Sequence, residues 1–156
     1  MLGDHLRYDP DTGKLHWLDD RHGAVMAGDE AGCFDVKGYR IIEFLGKAYK
    51  AHRVAWYLYY GSWPEKFIDH INGNKSDNRI TNLRDVTRGQ NRQNIKKAYG
   101  SNKTGFLGVC YKQGKYLAQI KSEGKKRYLG YFSTPEEAAE AYWKAKKELH
   151  ISQEFP

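Results

Sequence analysis

The sequence predicts an α+β chain built from two small domains, and three observations point there. Residues 67–94 read as strand, loop, strand and helix. Residues 105–149 read as three short strands followed by one helix, and the stretch between turns basic and rich in Gly, Ser and Asn. The predicted divisions are a first domain over 1–97, a basic linker over 98–104 and a second domain over 105–156. A length of 156 residues accommodates two such modules. A hydrophobic share of 40% supplies their cores, and a charged share of 29% argues against a membrane protein.

Along the chain, LRYDPDTGKLHW places turn chemistry, Asp9 to Gly13, between two short apolar runs, which predicts a hairpin. Residues 18–37 are polar, rich in Gly and Asp, aperiodic, and read as loop. A second hairpin follows, Tyr39 to Phe44 and Ala48 to Lys50, turning at Leu45-Gly46-Lys47. In AHRVAWYLYY, Val54 stands over Leu58 and Ala55 over Tyr59, so 51–60 is a helix with one apolar face, ended by Gly61. His52 on that helix reads first as a packed, structural histidine and second as a phosphate contact. Phe67 to His70 and Asn82 to Val86 are paired strands, and Arg88 to Lys97 is a helix. In the second domain GFLGVCYK, KYLAQIK and KRYLGYF form an antiparallel meander. The last helix starts at Thr134-Pro135-Glu136-Glu137, a capping box, and packs through Ala138, Tyr142, Ala145 and Leu149.

Charge is divided unevenly. Residues 1–91 carry 13 basic and 13 acidic side chains, whereas 92–156 carry 13 and 6, so the whole net charge of +7 falls in the second part. Such a concentrated positive field favours polyanions, because each neutralised phosphate releases counterions. Cys33 and Cys110 form no CxxC pair and are expected as buried free thiols. The N-terminal stretch MLGDHLRYDP is too polar for a signal peptide or membrane span, which makes the cytoplasm the expected compartment.

The segment FIDHINGNKSDNRITNLRDVTRGQNRQN is polar where the surrounding pattern would bury it. Asp69 precedes His70, an Asn-Leu pair begins twelve residues after His70 at Asn82, and Asn91 follows nine residues later on the helix. This spacing, with AHRVAWYLYYG ahead of it, resembles the HNH nucleases of the ββα-metal kind, in particular the phage-type homing endonucleases that carry Asn at the third motif position. The residue types suit the chemistry as well. Phosphodiester hydrolysis needs a base, and an imidazole of ordinary pKa near 6.5 serves close to neutrality. His70 is the expected general base. Charge building on the phosphoryl oxygens calls for a hard cation, and Asp69 and Asn91 offer oxygen ligands suited to Mg2+ or Mn2+. Two protein ligands imply weak metal affinity without DNA. Asn82 is expected to pin the loop and, directly or through backbone, to hold the tautomer of His70. Asn94, one helical turn on, is the alternative to Asn91 as ligand, and Arg84, Arg88 and Arg92 are candidates for phosphate near the cut. Asn72, Gly73, Asn74, Asp77 and Asn78 read as turn residues.

The second domain carries GFLGV, YLAQIK, LGYF and TPEEAAEAY. Over residues 102–150 these resemble the Apetala and ethylene-response-factor DNA-binding domain, which docks its sheet in the major groove. Alternation on the central strand sends Tyr116, Ala118 and Ile120 to the helix and Leu117, Gln119 and Lys121 to the open face. Lys126 and Tyr128 should share that face, with Lys112 beside them, while Arg92, Lys96 and Lys97 add phosphate contacts ahead of it. Leu107 and Cys110 stand where the family's first strand usually has arginines, so fewer guanine contacts are expected.

The expected function is a site-directed, metal-dependent DNA endonuclease whose partner is double-stranded DNA, acting as a monomer or as a dimer assembled on DNA. No obligate protein partner is indicated. The rival is a non-catalytic, sequence-specific DNA-binding regulator, and an RNA binder ranks third because the open face lacks paired stacking aromatics.

Overall fold

A computed structural model describes residues 2–95, 98, 100–122 and 124–149. The chain divides after Asn94 into two compact units. Lys96 and Lys97, expected at DNA, lie outside the described residues, as do residues 150–156 of the second predicted domain.

The first unit opens with β1 (Leu6–Tyr8) and β2 (Leu15–Trp17), antiparallel with Leu6 opposite Trp17 and Tyr8 opposite Leu15. Their turn is closed by Asp9 Oδ1, which accepts the Asp11 and Thr12 N–H groups at 3.0 and 3.3 Å. A three-stranded sheet follows, β3 (Cys33–Phe34), β4 (Arg40–Phe44) and β5 (Lys47–Lys50), in the order β3-β4-β5. The short β3 lies inside the expected 18–37 loop. It can pair because Gly32 approaches β4 so closely that a Cβ there would lie 2.2 Å from the Ile41 carbonyl oxygen. β3 is an edge strand, which leaves Cys33 exposed, and Cys110 is partly exposed; neither is the buried thiol that composition predicts.

The helix α1 (Ala51–Tyr60) buries Ala51, His52, Val54 and Ala55. Gly61 stops it in the left-handed region, φ 74°, with its N–H on the Tyr57 carbonyl. Next come β6 (Phe67–His70) and β7 (Leu83–Val86), paired antiparallel, and α2 (Arg88–Gln93). Thr87 and Gln90 form a capping box that starts α2. The helix is shorter than the expected run to Lys97: Asn94 already stands at its C-cap and turns its side chain to β6. Leu6, Leu15, Trp17, Ile42, Phe44, Val54, Ile68 and Leu83 share one core, so the hairpin, the sheet, α1 and the β6–β7 pair are packed together.

The second unit is the antiparallel sheet β8 (Val109–Lys112), β9 (Lys115–Ser122) and β10 (Lys125–Phe132), in the order β10-β9-β8, with α3 (Pro135–Leu149) on one face. The α3 cap forms as expected, Thr134 Oγ1 accepting the Glu137 N–H at 3.3 Å and Glu137 Oε2 accepting the Thr134 N–H at 3.2 Å. Val109, Ala118, Ala138 and Ala139 make the core, with Phe106, Tyr116, Leu129 and Phe132 against it. Small side chains are what let helix and sheet close up. At Gly108 a Cβ would lie 2.1 Å from the Tyr142 ring. The later part of the expected linker is built into this unit, since Asn102 Nδ2 donates to the Phe106 carbonyl at 2.7 Å and Thr104 Oγ1 to the Val109 carbonyl at 3.1 Å. Among the described residues no helix is long and apolar enough to cross a membrane.

Candidate active site and nucleic-acid face

Strand pairing assembles the first site. In the β6–β7 register Asp69 lies opposite Arg84 and His70 opposite Leu83. Asp69 and Arg84 are each 7% exposed, and Arg84 donates through Nε and Nη2 to Asp69 Oδ2 at 2.9 and 2.7 Å. Arg84 is therefore a buried partner of the carboxylate, which takes it out of the phosphate-contact candidates. Asn94 Nδ2 donates to the Asp69 carboxylate at 3.1 and 3.2 Å and to the His70 carbonyl at 2.8 Å. Asn91, one turn earlier on α2, is outside this cluster, and its side chain makes no hydrogen bond with any described residue.

His70 is 4% exposed. Its Nε2 lies 3.0 Å from Asn78 Oδ1. Burial holds the imidazole below its ordinary pKa, and the Asn78 hydrogen bond and the charges of Asp69 and Asp77 offset part of that shift. His52 meets His70 edge-on, ring centroids 5.1 Å apart, and Tyr39 lies beside both rings. Burial, then the neighbouring His70, Lys50 and Arg53, push His52 down to about 3, so it is a neutral, packed side chain. Lys50 and Lys75 both place their ammonium groups over the Tyr39 ring, at 4.4 and 4.8 Å from its centre.

Asn82 pins the loop. Its Oδ1 accepts the Asn72 N–H at 2.9 Å, and its Nδ2 donates to the Asp77 carbonyl at 2.7 Å. The hydrogen-bond partner of the imidazole is Asn78 and not Asn82, which holds the backbone at Asn72 and at Asp77, beside Asn78. By sequence Asn78 is a turn residue in an Asn-rich polar loop; its 2% exposure is a product of tertiary packing that no local pattern signals.

The donor set around Asp69 can be tested against a divalent cation. Among the described residues no group of three or more His, Cys, Asp or Glu side chains gathers at one point. What is present is one carboxylate, ion-paired through Oδ2 to Arg84, and carboxamides at the adjacent helix. All are oxygen donors, which fits a hard cation held weakly by protein and completed by water and phosphate.

On the second unit, register places Lys121 opposite Lys126, Gln119 opposite Tyr128, Leu117 opposite both Cys110 and Tyr131, and Lys112 opposite Lys115. One face of the sheet, away from α3, thus gathers Lys112, Lys115, Gln119, Lys121, Lys126, Tyr128 and Tyr131. Tyr128 is 70% exposed and the lysines are exposed. Leu117 is on this face but buried, sheltered between its cross-strand neighbours. Lys115 and Tyr131 escaped the sequence reading; the hairpin register supplies them. Arg92 is exposed in the last turn of α2.

Residues 49–93 match the family model described as HNH endonuclease. An ethylene-responsive transcription factor of Arabidopsis thaliana is 51% identical over 58 residues, a span that covers 34% of this chain and 18% of that protein. The chain thus spans less than a fifth of that relative's length. No solved structure gives a significant match.

Proposed function

We propose that the chain is a site-directed DNA endonuclease, of the phage homing kind, in which the first unit cuts and the second reads DNA. The observation that carries this reading is the convergence of His70 and Asp69, within the segment matched to HNH endonuclease, with Asn94, the C-cap of α2 directly after it. His70 is the general base: it is neutral near pH 7 because burial lowers its pKa, so it accepts a proton from water without first having to lose one. Asp69 and Asn91 would hold Mg2+ or Mn2+, Asn91 being a carboxamide whose side chain makes no hydrogen bond among the described residues. A cation there supplies charge stabilisation for the phosphoryl and leaving oxygens. Asn94 clamps Asp69 and the His70 carbonyl, and Arg84 fixes the carboxylate's orientation. Asn82 keeps the loop folded over the site.

The lysine-rich face supports DNA as the substrate of the second unit: its cations suit phosphates, and Gln119 and Tyr128 can meet base edges. Arg92, with Lys96 and Lys97 following in sequence, would add phosphate contacts, and one site per chain accounts for nicking by a monomer or double-strand cutting by a pair on DNA. Incubating the full chain with phage or host DNA tests the reading. Strand scission should require Mg2+ or Mn2+ and stop on adding a chelator. DNA binding with no metal-dependent scission would favour the regulator instead.

A further inference from the structure

The N-terminal hairpin, residues 6–17, lies outside the segment matched to HNH endonuclease, yet it grips the residue that hydrogen-bonds the His70 ring. Tyr8 donates its hydroxyl to the Asn78 carbonyl at 2.7 Å. The Ile80 N–H donates to the Pro10 carbonyl at 3.2 Å. Gly13, in the left-handed region at φ 75°, lies so close that a Cβ would be 2.4 Å from the Arg79 nitrogen and 2.6 Å from the Asn78 carbonyl carbon. From the other side Asn82 holds the Asp77 carbonyl. The backbone on each side of Asn78 is therefore fixed by separate contacts, and its side chain, 2% exposed, presents Oδ1 to His70 Nε2 at 3.0 Å.

We propose that Asn78, clamped by the N-terminal hairpin, is a positioning residue for His70 that holds the imidazole in its Nε2–H tautomer and leaves Nδ1 as the basic nitrogen. An amide oxygen is an acceptor only, so the hydrogen bond forms when Nε2 carries the proton. The same bond fixes the ring's rotation. Its contribution to rate rests on His70 being the base, but the tautomer itself does not. In this arrangement the hairpin is part of the cutting machinery although none of its side chains reaches the reacting atoms: it determines whether Asn78 can serve.

The test uses the full chain, with long-range 1H–15N correlation spectra of the His70 ring to read the tautomer and single-turnover cleavage to read the rate. Wild type should show Nε2–H. Asn78→Leu, close in volume but without an acceptor, should lose the single tautomer and about 10–100-fold in cleavage rate, as removal of a partner that orients an active-site group typically does. DNA affinity should stay unchanged. Asn78→Asp keeps an acceptor-only oxygen and should keep Nε2–H. Tyr8→Phe removes one clamp with little disturbance and should lower the rate in the same direction by a smaller factor, which keeps the test decisive if Asn78→Leu does not fold. A wild-type proton on Nδ1, or an Asn78→Leu chain with unaltered tautomer and rate, overturns the proposal. A wild type that shows Nε2–H and cuts nothing would retire the nuclease reading and leave the clamp standing.

Discussion

His52 and His70 pack edge to edge in the interior of the first unit, and burial makes both reluctant to take a proton. The consequence is a stability that depends on pH in a definite direction. In the unfolded chain a histidine protonates near 6.5, whereas folded His52 does so near 3. Between those values the unfolded state binds more protons, so stability is complete above pH 6.5 and drains away as pH falls toward 3. For His52 alone the loss between pH 7 and pH 5 is about 2 kcal/mol, and the lowered His70 adds to it in the same sense. Urea unfolding at the two pH values checks this: wild type should lose more stability than His52→Leu. Equal losses would show that His52 is not held neutral. The same residues show what the sequence discloses and what it hides. That Asp69 and His70 end a strand is legible because an apolar pair running into polar residues is a local pattern. The place of Asn78 is not, because what separates it from Asn72 and Asn74 is burial imposed by Tyr8 and Gly13 from far along the chain. Arg84, one of three candidates for phosphate by sequence, is instead paired with Asp69, and only the β6–β7 register reveals that the two face each other.

The elements with strong local signals were those the sequence located well: the β1–β2 hairpin with its Asp9 turn, α1 ending at Gly61, the three-strand meander, and α3 with its capping box. β3 was missed because a strand of two residues has no periodicity, and it exists through the close approach at Gly32. The end of α2 was overestimated because Asn94 bonds to β6 where a helical pattern would continue. In the meander, alternation correctly separated a helix-facing side from an open one, apart from the burial of Leu117. Lys121 and Lys126 lie directly opposite on that open face, a like-charge pair that costs stability unless an anion lies between them. Replacing both by Ala should weaken DNA binding and flatten the dependence of log Kd on log salt, by roughly 0.9 for each phosphate contact removed. The folded unit should be no less stable. An unchanged salt slope would mean that DNA meets another surface.

Across the whole molecule the charge asymmetry matches the proposed division of labour. The first unit balances its charges around a buried cluster, and the second concentrates cations on a sheet face. In the proposed reading two folded units joined at Asn94–Ile95 would provide chemistry and reading separately, and neither the HNH match nor the transcription-factor likeness extends over the full chain. The claim on which the rest depends is that the imidazole of His70 accepts the proton of the attacking water. Single-turnover cleavage by wild type and by His70→Ala, with protein in excess over DNA and Mg2+ present, tests it most directly. The variant should bind DNA as wild type does and cut about 10²–10⁴ times more slowly. Equal cleavage rates for the two would contradict the assignment.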